Sequence, residues 1–243
     1  MLILAIDTSS DILGLSLIDS GQLKGEYNLS LKRKHSEKLL PLIKQFFQLL
    51  EIEIEALDGI AVATGPGSFT GLRIGITTAK MLSRIFSIPV KGVSTLEIIA
   101  AGLEAKYILP LLDARRERVY YAFYNNLNNR ENNSLIELKK AASTEIKKLP
   151  EILSAYQNKE IAIVGEKTAA VAKVLRANDF KIKTTAAENN FPRAAVLARL
   201  GQNYIELDQK DDIYQLKPAY LKKTQAEINW EQKYGSGNSE NKK

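Results

Sequence analysis

The run Leu2-Ile-Leu-Ala-Ile6, closed by Asp7-Thr-Ser-Ser10 and followed by Ile12-Leu-Gly-Leu-Ser-Leu-Ile18, decides how the chain is read. An unbroken apolar run of that length predicts a strand buried on both faces. The alternation of Leu13, Leu15 and Leu17 with Gly14 and Ser16 is the period-two pattern of a second strand. Asp19-Ser20-Gly21 is turn chemistry, and a third strand is expected over Glu26–Leu31. Helix and strand then alternate. A helix is expected over Ser36–Leu50, a buried strand over Gly59–Thr64, a helix over Gly71–Phe86, a strand over Pro89–Val93 and a helix over Ser94–Leu103.

The rest of the chain repeats that order about 105 residues later. Strands are expected over Tyr107–Leu112, Arg118–Tyr124 and Leu135–Leu138, the last two separated by an Asn-rich tip from Asn125 to Asn133. A helix over Thr144–Tyr156, kinked at Pro150, precedes a buried strand at Ile161–Val164. A helix over Thr168–Ala177, a weak strand over Lys181–Thr184 and a helix over Arg193–Leu207 complete the set. A three-strand meander followed by helix–strand–helix, given twice, predicts an α/β fold of two duplicated lobes, each a mixed sheet flanked by helices. That is the pattern of the actin, Hsp70 and sugar-kinase (ASKHA) superfamily, whose first hairpin turn in each half grips nucleotide phosphates. The expected division is an N-terminal lobe over 1–104 and a C-terminal lobe over 105–221, with the last helix, 193–207, available to pack back on the first lobe. A polar tail over 222–243, expected to be disordered, holds Trp230 as the residue able to dock.

Composition narrows the function. In 243 residues, 45% are hydrophobic and 26% charged, the balance of a folded protein with a sizeable core. There is no cysteine, which excludes disulfides and thiol chemistry. The apolar start reaches an acid at Asp7, too soon for a signal-peptide core or a membrane span, so a cytosolic protein is expected. The net charge of +6 is scattered along the chain and reads as solvated faces, with weak nucleic-acid affinity as the alternative.

No complete catalytic set emerges. Asp7-Thr-Ser-Ser10 reads equally as a contact for a metal-bound phosphate and as a polar turn. Its counterpart, Asp113-Ala-Arg-Arg116, has no glycine to let the backbone approach a phosphate, and Gly165-Glu-Lys-Thr168 has one. The Gly-rich run Thr64-Gly-Pro-Gly-Ser-Phe-Thr-Gly-Leu-Arg-Ile-Gly75 lies between a strand and a helix. It lacks the Gly-Lys-Ser/Thr ending of a P-loop and the third glycine of a dinucleotide fingerprint. A tight, closely packed turn is the main reading and anion contact at the helix N-terminus the minor one. A single histidine, His35, cannot assemble a zinc site, and it reads as a helix cap or surface residue rather than a triad member. No catalytic, cofactor-binding or metal residue is therefore assigned, and no cofactor is expected.

Two helices carry surplus apolar surface. In Ser36–Leu50 the apolar residues span about 180° of arc, and in Gly71–Phe86 the apolar and small residues span about 220°, where a helix lying on one sheet needs about 100°. A second protein covering the remainder is the reading this favours. Its expected contacts are Leu39, Leu42, Ile43 and Phe46 on the first helix and Ile74, Thr78, Met81 and Ile85 on the second.

Ile3-Leu-Ala-Ile-Asp-Thr-Ser-Ser10, His35-Ser-Glu37, Gly65-Pro-Gly-Ser-Phe-Thr-Gly-Leu-Arg-Ile-Gly75, Val93-Ser-Thr-Leu-Glu97, Asp113-Ala-Arg115 and Pro218-Ala-Tyr-Leu221 together resemble the bacterial TsaB family. The match runs in order from Leu2 to about Leu221. The resemblance implies a non-catalytic relative of TsaD, the enzyme that transfers a threonylcarbamoyl group to the adenosine beside the anticodon in tRNAs reading codons that begin with A. The group comes from threonylcarbamoyl-adenylate, made by TsaC. The implied partners are a TsaD-like transferase in a heterodimer, a TsaE-like ATPase that joins the complex, and a second copy of the chain in a homodimer, with tRNA contacted through the complex. The resemblance also implies that the heterodimer forms through a bundle of the two helices just named. TsaD-like enzymes carry a metal-binding His-x-x-x-His after the Gly-rich helix, where this chain has Thr95 and Ile99. The rival readings are an ASKHA-type ATPase or kinase using Asp7 and Thr8, and a direct tRNA-binding module.

Overall fold

A computed structural model describes residues 1–31, 34–127 and 135–221. The chain order is β1 (Leu2–Asp7), β2 (Ile12–Asp19), β3 (Gln22–Ser30), α1 (His35–Leu50), β4 (Gly59–Gly65), α2 (Phe69–Phe86), β5 (Val90–Ser94) and α3 (Thr95–Ala101). It continues with β6 (Tyr107–Asp113), β7 (Arg118–Asn126), β8 (Leu135–Glu145), α4 (Leu149–Ile152), β9 (Glu160–Gly165), α5 (Thr168–Arg176), β10 (Lys181–Thr184) and α6 (Ala194–Glu206).

Two five-stranded sheets have the same plan. The first is ordered β3-β2-β1-β4-β5 and the second β8-β7-β6-β9-β10. In each, three strands form an antiparallel meander and two more join in parallel, beginning with the registers Leu2↔Asp19 and Ile3↔Gly59 in the first sheet and Tyr107↔Asn125 and Tyr107↔Ile161 in the second. The duplicated, two-lobed α/β architecture with mixed sheets flanked by helices is therefore what these residues build. β1 is central in its sheet and buried at every residue, which is why it reads as a solid apolar run.

Helices cover the first sheet on both sides. α1 and α2 pack over Leu4, Ile6, Leu15, Leu17 and Val62. α6 packs over Ile3, Ala5, Ala61 and Val93 from the other side, through Leu197, Ala198, Leu200 and Ile205. A Cβ added at Gly201 would lie 2.3 Å from the Ala61 side chain, so this glycine is what lets α6 lie directly on β4. α3 stands between the sheets. Its Ile98 joins the α6 layer, while Leu96, Ile99 and Ala100 pack against Ile108, Leu112 and Val164 of the second sheet. α4 and α5 cover that sheet's other face around Phe123, Ile161 and Ile163.

The helix expected over Thr144–Tyr156 is not formed as one piece. β8 runs on to Glu145, which pairs with Arg118, and the next N–H, of Ile146, donates to the Glu117 carbonyl at 3.0 Å. Only the four residues of α4 are α-helical, with Pro150 in the first turn where its missing N–H costs nothing, between short 3-10 turns at 146–148 and 154–156. The tip expected to end at Asn133 falls largely outside the described residues, as do the tail over 222–243 and Trp230. After α6, residues 211–221 return along the first sheet. Asp211 accepts the Gly92 N–H at 2.7 Å and the Lys91 ammonium at 3.2 Å on β5, and the Ala219 N–H donates to the Thr64 carbonyl at 2.8 Å. Among the described residues no helix is long and apolar enough to cross a membrane.

Candidate functional site

The turn after β1 is buried at Asp7, Thr8 and Ser9. The Ser9 N–H donates to Asp7 Oδ1 at 2.7 Å, which closes the turn on itself. The Thr8 hydroxyl donates to the Gly71 carbonyl at 2.7 Å, and the Ser68 N–H donates to the Ser9 carbonyl at 2.7 Å. The glycines of the Gly-rich run are the counterpart of this contact. A Cβ on Gly67 would lie 2.2 Å from the Ser9 carbonyl oxygen, on Gly71 2.0 Å from that of Thr8, and on Gly75 2.4 Å from the Thr8 hydroxyl. The run is thus a closely packed strand-to-helix turn. Ser68 caps α2 by accepting the Gly71 N–H at 3.2 Å. Asp7 Oδ2 has no hydrogen-bond partner, and burial pushes the carboxyl up to about 6 against the lowering effect of its hydrogen bonds from Ser9.

The equivalent turn of the second lobe is tied down as well. The Asp113 N–H donates to Glu166 Oε2 at 2.6 Å, the Arg115 N–H to Asp113 Oδ1 at 2.7 Å, and Lys167 lies 3.8 Å from Asp113. Gly165, at φ +102°, brings β9 against β6, because a Cβ there would meet the Leu111 carbonyl oxygen at 2.1 Å. Among the described residues no group of three or more His, Asp or Glu side chains is placed to hold a metal ion. Thr95 and Ile99 are both buried on α3, Ile99 inside the α3–second-sheet core. His35 corrects its expectation. It is the buried first residue of α1, the N-cap is Lys34, and no side chain caps the helix.

The eight expected contact residues divide. Leu39, Ile43 and Phe46 are inside the chain's own core, where α1 lies on the first sheet, and Tyr27 on β3 packs against Phe46 with ring centroids 4.7 Å apart. These three do not face outward, which corrects that part of the reading. Leu42 and Ile74 are half-buried at the margin of the same core, and Thr78 is buried. Met81 and Ile85 are exposed, at 41% and 62%. Leu40 and Leu49 on α1 and Phe69 on α2 are exposed as well.

A family model described as TsaD, tRNA N6-adenosine threonylcarbamoyltransferase, matches residues 28–230. The protein named "tRNA threonylcarbamoyladenosine biosynthesis protein TsaB" from Bacillus subtilis (strain 168) is 34% identical over 242 residues, an alignment covering 95% of this chain and 98% of that protein. The chain belongs to the TsaB family. It does so within the wider TsaD family that the model describes. The TsaB protein of Haemophilus influenzae is 26% identical over 94% of this chain and 95% of its own length. Among solved structures, YeaZ from Pseudomonas aeruginosa matches with a TM-score of 0.76 at 23% identity, covering 90% of this chain and all but 1% of that one, a likeness of fold.

For a TsaB-family chain, one cluster escaped the sequence reading. Tyr220, from the segment that returns after α6, stacks on Phe69 with centroids 4.9 Å apart. The Arg73 guanidinium lies 3.9 Å from the Phe69 ring centre and donates to the Tyr220 hydroxyl at 2.9 Å. Pro218-Ala-Tyr-Leu221 carried the signal in sequence, but its partner is 147 residues away and no periodicity joins them.

Proposed function

We propose that this chain is a non-catalytic, cytoplasmic scaffold subunit in tRNA threonylcarbamoyladenosine biosynthesis, which binds and stabilises a TsaD-type transferase. The observation that carries this reading is the exposure of Met81 and Ile85 one helical turn apart on α2, with half-buried Ile74 two turns before Met81. Large apolar side chains repeated on one stripe and left in water are a docking face. The burial of Asp7, Thr8 and Ser9 in the turn after β1 supports a binding role over nucleotide chemistry. A TsaE-like ATPase is the further partner expected, and tRNA is contacted through the assembled complex.

The test is co-purification and single-turnover transfer. A TsaD-type protein should co-elute with the chain and need it for threonylcarbamoyl transfer to tRNA, and Ile85→Glu should abolish both while leaving the fold unchanged. Transfer that proceeds equally without the chain overturns the reading. A complex of two copies of this chain that persists in place of the heterodimer assigns the stripe to self-association instead.

A further inference from the structure

The second lobe carries a groove of about 690 Å³ that the scaffold role leaves unused. Its floor is Ile146 with Ala170, Val174 and Ala177, three positions on one stripe of α5 and its C-cap. Its rim is basic: Arg116 from the turn before β7, Arg118 at the start of β7, Lys147 after β8 and Lys173 on α5. Two carboxylates share the rim, Glu117 and Glu145. Glu145 is held by Lys147 at 3.0 Å and Arg118 at 3.8 Å, so its charge is already matched.

The wall is built at a cost. Arg115, Arg116 and Glu117 are consecutive left-handed residues, with φ of 62°, 52° and 56°. Non-glycine residues in that region cost of order 1 kcal/mol each and persist only where neighbours fix them. Here the Asp113 carboxylate holds the Arg115 N–H, and the Glu117 carbonyl holds the Ile146 N–H. Arg116 is thereby fixed beside the aliphatic floor rather than left on a loose loop.

We propose that this groove docks a helical segment of a partner protein that presents apolar side chains at i, i+3 and i+4 flanked by carboxylates. Charge complementarity selects an anionic occupant, since Glu145 engages Arg118 and Lys147, and Arg116 and Lys173 then face Glu117 as the one remaining rim carboxylate. The aliphatic floor selects one with an apolar face, and the small side chains of Ala170 and Ala177 let a helix backbone come close. No lining side chain is aromatic, so the groove lacks the stacking surface by which proteins hold nucleic-acid bases. The groove is separate from α1 and α2, so this inference stands whether or not those helices bind a transferase.

The experiment uses the full chain and a fluorescein-labelled, helix-stabilised peptide with leucines at i, i+3, i+4 and i+7 flanked by glutamates. Anisotropy should show saturable binding that weakens with salt and falls at least about tenfold in the exposed-site variants Arg116→Glu and Lys173→Glu. The same peptide with lysines in place of its glutamates should bind the double charge-reversed variant in preference to the unaltered chain. Absence of binding, binding unchanged in both variants, or equal binding by a peptide whose leucines are serines overturns the proposal. So does an oligouridylate that binds with the same dependence on Arg116 and Lys173 while the acidic peptide does not, an outcome that assigns the groove to RNA.

Discussion

The Thr8 hydroxyl donates to the Gly71 carbonyl at 2.7 Å, so the loop that follows the first strand is stapled to the first turn of α2. Gly71→Ala would place a methyl group 2.0 Å from the Thr8 carbonyl oxygen, a backbone atom that cannot swing aside. The expected cost is about 3 kcal/mol, at the upper end of what overpacking inflicts. Urea unfolding of the variant checks it, and a midpoint unchanged from that of the parent would mean that the loop and helix do not touch in solution.

Asp7 gives stability an unusual pH slope. Burial raises its carboxyl to about 6, so the folded chain holds the proton to higher pH than the unfolded chain, where the ordinary value is 3.8. Its contribution is complete below about pH 4 and is lost as pH rises through about 6, a loss of about 3 kcal/mol. Asp7→Asn keeps an acceptor for the Ser9 N–H and has no charge to bury. The variant should be the more stable protein at pH 8, and its advantage should vanish near pH 4 in paired denaturation curves.

Phe46 and Ile85 should separate core from surface. Phe46 is 1% exposed, and Phe46→Ala should cost about 3–5 kcal/mol through the cavity left between α1 and β3. Ile85→Glu should stay within about 0.5 kcal/mol of the parent. Thermal melts of the two proteins decide it, and a destabilised Ile85→Glu would place that side chain in the core.

Glu26 ties β3 to the start of α6. Its carboxylate accepts both side-chain N–H groups offered by Arg193 and the Ala195 N–H at 2.9 Å. Burial pushes this carboxyl up, but the hydrogen bonds from Arg193, Asn28 and Ala195 outweigh it and hold the group below the ordinary 4.5. Its stabilisation is therefore present above about pH 4.5 and is lost as pH falls further. Glu26→Gln should cost about 1–3 kcal/mol at pH 7 and progressively less toward pH 3, the opposite trend to Asp7→Asn.

The succession of elements along the chain and the duplicated plan were legible because β1, β4, β6 and β9 are largely buried and read as unbroken apolar runs. The break of the Thr144–Tyr156 helix was not legible. Thr144 and Glu145 suit a helix start, and only their pairing with Val119 and Arg118 keeps them extended. The outward surface was half legible. Periodicity gives the width of the apolar arc on α1, but not which edge of it meets the sheet. Phe46 and Leu49 are alike in sequence, and one is 1% exposed and the other 67%. The Gly-rich run was ambiguous because glycine serves both anion contact and close packing, and the groove beside Thr8 and Ser9 chose packing.

α6 completes the first sheet's second layer through Leu197, Ala198, Leu200 and Ile205, and residues 211–219 fasten β4 and β5. The first lobe is therefore made from both ends of the chain, with the second lobe threaded between them. During synthesis the second sheet emerges as one uninterrupted stretch, whereas Ile3, Ala5 and Ala61 wait for a cover delivered more than 130 residues later. A chain that ended before α6 would leave Ile3, Ala5 and Ala61 of the first sheet without their helical cover. The half of the molecule that is translated first is thus the half whose core is completed last.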